Sequence, residues 1–115
     1  MKYIFFGVLL VPVIGSIFIT RARNGEPLTA APRSAAELYS KNCATCHGRD
    51  GRAKTIKGKL KHARDLSDPE WQNRVSDERI FNSIMNGKDK MPAYAKKLSG
   101  QEIDSLVPYV RGLKK

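Results

Sequence analysis

Cys43-Ala44-Thr45-Cys46-His47, CATCH in one-letter form, contains both cysteines of a 115-residue chain and one of its two histidines. Two sulfurs and an imidazole within five residues restrict the chemistry to a few readings. A disulfide or a chance pair explains the cysteines of an exported protein but leaves the adjoining His47 idle. A dithiol redox pair expects a strand before it in a βαβ setting, and the pattern here offers none. Structural zinc needs four ligands. Beyond Cys43, Cys46 and His47 only His62 could be recruited, and His47 adjoins Cys46 too closely for easy tetrahedral geometry.

The fourth reading is covalent haem, for which CxxCH is the attachment pattern. Two thiols one helical turn apart can add to the two vinyl groups on one porphyrin edge, and the next residue then lies beneath the iron. Size favours the same reading. If the first two dozen residues stand apart, about 80 to 90 remain, a length at which a polypeptide core is marginal and a bound group often completes it. With 41% apolar and 28% charged residues, the chain otherwise has the composition of one small ordered domain.

The N-terminus reads as an export or membrane segment. Lys2 is followed by 18 uncharged, mostly apolar positions, Tyr3 to Thr20, a length between a signal-peptide core and a bilayer-spanning helix. Arg21 and Arg23 stand where a cleavable signal usually has small neutral residues, so residues 1–23 are expected to be an uncleaved anchor, with cleavage after Ala22 or Ala31 as the competing outcome. Charge bias alone does not fix the orientation. Residues 24–33, NGEPLTAAPR, have Gly and two prolines without hydrophobic period and form the expected linker.

From Ser34 to Lys115 the pattern is helical. Ser34 with Glu37, Ser67 with Glu70 and Ser99 with Glu102 each offer a capping box, and Ser76 opens a further helix carrying Ile80, Phe81, Ile84 and Met85, with Gly87 as its stop. The last helix sets Ile103, Leu106, Val107, Val110 and Leu113 along one stripe, where Pro108 predicts a kink without a break. Residues 48–65 are Gly- and Lys-rich and aperiodic, which predicts a long loop wrapped around something. No window alternates apolar and polar residues, so no sheet is expected.

Three residues compete for the second face of an iron. Met85 lies on the apolar stripe and reads as core. His62, between Lys61 and Arg64, reads as surface. Met91 follows a helix in a loop where Pro92 keeps the backbone extended, a poor place for core packing, and is the favoured candidate. Trp71, Tyr94 and Tyr109 read as packing residues of the core or pocket.

The stretches ELYSKNCATCHG, DLSDPEW, VSDERIFNSIMNGKDKMPAY and LSGQEIDSLVPYVRGL together resemble the class I single-haem c-type cytochromes of the small bacterial type. The resemblance implies an all-α fold of about four helices around one covalent haem c, in a domain spanning residues 34–115. It implies that Cys43 and Cys46 carry the thioethers, that His47 and Met91 are the axial ligands of the iron, and that the domain is exported to the periplasmic side of the membrane. Many members of that family orient the proximal histidine with a proline carbonyl in a Gly-Pro-x-Leu stretch. The corresponding region here is GKLKHARDL, which leaves the acceptor for His47 unidentified.

The net charge of +10 invites a nucleic-acid reading, which the export segment disfavours. Basic residues concentrate at Lys41–Arg64 and around Met91, at Lys88, Lys90, Lys96 and Lys97, a distribution that suits acidic redox partners or a membrane respiratory complex. The expected function is one-electron transfer between respiratory-type donor and acceptor proteins, not catalysis. The alternatives are a haem c subunit of a larger redox complex, or a haem catalyst or sensor if Met91 is not a ligand.

Overall fold

Ser34 starts the first helix of a computed structural model that describes residues 31–115. The expected anchor, with all of the linker before Ala31, lies outside the described residues. Six helices follow in order: α1 (Ala35–Asn42), α2 (Ala44–His47), α3 (Ile56–Lys61), α4 (Pro69–Arg74), α5 (Asp77–Asn86) and α6 (Gly100–Arg111). The described residues contain no strand, only an isolated bridge between Lys88 and Met91. The fold is all-α.

Local side-chain chemistry sets most of the boundaries. At α1 the Ser34 hydroxyl accepts from the Glu37 amide at 3.2 Å while the Glu37 carboxylate accepts from the Ser34 amide at 2.8 Å. Ser99 and Glu102 repeat this exchange at α6, so two of the expected capping boxes close as drawn. The third does not. At α4 the N-cap is Asp68, whose carboxylate accepts from the Glu70 amide at 2.9 Å, because Pro69 is pre-organised for the first helical position and carries no N–H to satisfy. Ser67 instead donates to the Asp65 carboxylate at 2.6 Å. Ser76 caps α5 as expected, and Gly87 follows it at φ 76°.

α6 packs on α1 and α5, and the core lies among these three. Ile103, Leu106, Val107 and Val110 of α6 meet Leu38 and Tyr39 of α1 and Ile80 and Ile84 of α5, with Leu66 and Leu98 closing the edges. Full burial of one such aliphatic side chain is worth about 1.5–3 kcal/mol. Leu113 is half-buried beyond the helix end. Pro108 leaves α6 unbroken: it sits on the exposed side, next to solvent that can satisfy the Asp104 carbonyl it deprives of a partner.

α4 is tied to α6 by a polar network. The Gln72 side chain, 4% exposed, donates to the carbonyls of Leu66 and Val110, both at 2.8 Å. Arg111 donates to the Gln72 carbonyl at 2.6 Å, to its side-chain oxygen at 3.0 Å, to the Val75 carbonyl at 2.6 Å and to the Asp77 carboxylate at 2.7 Å.

The stretch expected to be a loop, residues 48–65, contains α3. Thr55 caps this helix by accepting from the Gly58 amide at 2.9 Å, and α3 lies against α2. The sequence hid it because its two large apolar residues, Ile56 and Leu60, are 81% and 71% exposed and leave no core-facing stripe.

Candidate functional site

α2 is one turn long and consists of the CATCH residues after Cys43, which is at once the C-cap of α1 and the N-cap of α2. Cys43 and Cys46 are free thiols, both half-buried. Burial pushes the Cys43 thiol up to about 11, and the neighbouring Cys46 adds to the rise. Neither sulfur is tied up in a disulfide, so both can form thioether bonds.

His47 ends α2 and is 8% exposed. Its Nδ1 lies 2.9 Å from the Arg64 carbonyl oxygen. A carbonyl only accepts, so Nδ1 carries the proton and Nε2 keeps its lone pair. Burial moves the imidazole pKa below its usual value, against the opposing pull of the Arg64 carbonyl, which keeps the ring neutral and able to ligate a metal. Arg64 therefore supplies the acceptor that the sequence left unidentified. No sequence signal points to it, because the functional atom belongs to the backbone.

Met91 is half-buried and packs against the core cluster. Its loop is pinned on both sides: Met91 and Lys88 exchange backbone hydrogen bonds of 2.8 and 3.1 Å, and the amides of Tyr94 and Ala95 donate to the carbonyls of Ile84 and Met85 at the end of α5. Gly87 allows the close approach, since a Cβ there would stand 2.7 Å from the Met91 carbonyl oxygen. Met85 is half-buried at the core edge, consistent with packing, and His62 is an exposed left-handed C-cap of α3.

One contact joins the Met91 loop to the cysteine motif. The Tyr94 hydroxyl, three residues beyond Met91, donates to the carbonyl of Asn42, the residue before Cys43, at 2.8 Å. Burial, then the proximity of Cys43 and Cys46, raises the Tyr94 phenol above its ordinary pKa. Tyr39 braces the other end by donating to the Gly48 carbonyl at 2.8 Å, and its ring lies 4.8 Å from that of Tyr109. Trp71 packs against the same core. Among the described residues no three His, Cys, Asp or Glu side chains gather around one point.

The donor set fits haem c: two free thiols one turn apart and a neutral buried imidazole with one nitrogen engaged and the other open. Fold and motif define a small mono-haem class I c-type cytochrome, an electron-transfer protein that carries covalent haem c with its iron. Residues 30–110 match the family model described as cytochrome C oxidase, cbb3-type, subunit III, and the chain belongs to this cytochrome c family. Cytochrome c6 of Nostoc sp. is 34% identical over 112 residues, which cover 97% of this chain and 94% of that protein. The cbb3-type cytochrome c oxidase subunit FixP of Azorhizobium caulinodans is 35% identical over 86 residues, 74% of this chain but 28% of that subunit. Among solved structures, the KustC0563 c-type cytochrome superposes with a TM-score of 0.67 at 42% identity, covering 72% of this chain and all of that one.

Proposed function

We propose that this cytochrome passes single electrons between donor and acceptor proteins outside the cytoplasmic membrane, with His47 and Met91 as axial ligands of its iron. Bound haem supplies reversible one-electron cycling of that iron. The chain does the rest. Cys43 and Cys46 hold the cofactor edge, His47 presents Nε2 while the Arg64 carbonyl fixes its ring, and Met91 closes the opposite position to substrate. A thioether ligand raises the potential relative to a second histidine. The observation that carries this reading is the Tyr94 hydrogen bond to Asn42, which ties the Met91 loop to the cysteine motif.

Partner choice follows from charge. Lys54, Lys57, Lys59 and Lys61 crowd on and beside α3, which packs on the attachment helix, and Ile56 and Leu60 stand exposed among them. Such a face suits an acidic redox protein that docks weakly and fast. Residues 1–23 would direct export and either anchor the domain or be removed; among the described residues no helix is long and apolar enough to cross a membrane. The match to FixP supports a second role as the haem c module of an oxidase assembly.

Stopped-flow reduction by an acidic flavodoxin tests the docking surface. Raising the salt from about 0.01 M to about 0.15 M shortens the Debye length from about 30 to about 8 Å and should slow the bimolecular reaction about tenfold or more. Lys57→Gln with Lys59→Gln should flatten that dependence. A rate indifferent to salt contradicts docking by charge.

A further inference from the structure

The C-terminal carbonyls of a helix have no partners within it. In α2 all four are satisfied by the chain that follows. Gly48 N–H donates to the Ala44 carbonyl and Ala53 N–H to the His47 carbonyl, both at 2.8 Å. The Thr55 hydroxyl lies 2.8 Å from the Thr45 carbonyl oxygen and 3.0 Å from that of Cys46, so its single proton is shared between them. The same hydroxyl oxygen accepts from the Gly58 amide and caps α3. Thr55 thus closes the attachment helix and opens the next one with a single atom.

Gly58 makes that junction possible. A Cβ at this position would stand 2.1 Å from the Cys46 carbonyl oxygen and 2.9 Å from that of Ala53, so any side chain would force α3 away from α2. α3 then ends in the left-handed His62, and Ala63 N–H returns to the Gly58 carbonyl at 2.8 Å. The next residue is Arg64, whose carbonyl meets His47 Nδ1. Arg64 has no ring to fix its backbone, so its carbonyl is held from α3 on one side and by the Leu66 amide, which donates to the Gly51 carbonyl at 2.7 Å, on the other.

We infer that Thr55 and Gly58 are positioning residues for His47: they seat α3 on α2 and thereby aim the Arg64 carbonyl at Nδ1. This rests on His47 as an iron ligand. A firm Nδ1–H···O bond makes Nε2 more basic and favours the oxidised metal. Loosening α3 weakens that bond and moves the potential upward.

The test compares Thr55→Val, Thr55→Ser and Gly58→Ala in the full haem-loaded protein. The readouts are the midpoint potential and the solvent exchange rate of the His47 Nδ1 proton, followed by NMR with 15N-labelled histidine. Thr55→Val and Gly58→Ala should speed exchange about tenfold, as expected for loss of one hydrogen bond's worth of protection, and should shift the potential upward. Thr55→Ser, which keeps the hydroxyl, should match wild type. If Gly58→Ala does not fold, the Val and Ser pair decides. Variants that melt earlier but keep wild-type exchange and potential overturn the inference, as does a serine variant that behaves like valine. Failure of the ligand assignment itself would appear separately, as a wild-type spectrum without histidine ligation.

Discussion

Cys43→Ser combined with Cys46→Ser is expected to give a chain whose intact mass is that of the polypeptide alone and whose helices are largely melted at 37 °C. Among the described residues the core consists of ten buried side chains from α1, α5, α6 and two connecting segments. A domain of this size retains only a few kcal/mol without a staple or cofactor. Cys43 and Ala44 already pack against that core, so a group bonded through Cys43 and Cys46 would extend it. A covalent group that stabilises only the folded state adds to stability in full, and its loss should remove about 5 kcal/mol or more. Single replacements, which leave one thioether, should fall between. The mass is read by electrospray ionisation and the melting by far-UV circular dichroism. A doubly substituted protein that keeps bound haem through denaturation and melts like wild type would contradict the account.

The second large effect is expected at Arg111. Its guanidinium holds the Gln72 and Val75 carbonyls and the Gln72 side chain, and Gln72 in turn holds Leu66 and Val110. Arg111→Met removes the donors and leaves partly buried acceptors unpaired, at a cost of about 3–5 kcal/mol. For a domain of this size each kcal/mol lowers Tm by about 4–8 °C, so a fall of roughly 12 °C or more should appear in the melt of the haem-loaded protein. Gln72→Leu should have a comparable effect, and the double variant should lose far less than the sum, since the two side chains share a hydrogen bond. Additive losses would mean that the residues act independently.

The cysteine motif, the helix starts at Ser34, Ser76 and Ser99 and the stripe of α6 were legible because each is written in side chains with fixed spacing. α3 was not. Its Ile56 and Leu60 sit four apart as a helix requires, but they face outward among lysines, so the signal that marks a core helix is absent. The start of α4 moved by one residue because Asp68 followed by Pro69 outcompetes Ser67 as a cap, a contest between two plausible caps that pattern alone leaves open. The partner of His47 was illegible for a different reason. Any residue can offer a carbonyl, and only the turn through His62 and Ala63 brings that of Arg64 to Nδ1. Met91 stood out through its loop position and Pro92, whereas the bond that ties its loop to the cysteine motif runs from Tyr94 to Asn42, 52 residues apart in sequence.

In the proposed function Met91 closes the distal side of the iron and so makes the protein a carrier. The oxidised protein tests it most directly through the weak far-red band of methionine-to-iron charge transfer. The band should be present in wild type and in Met85→Leu and absent in Met91→Ala, with the midpoint potential falling in Met91→Ala as the thioether is lost. A high-spin ferric spectrum in wild type, or a band that survives Met91→Ala, would contradict it.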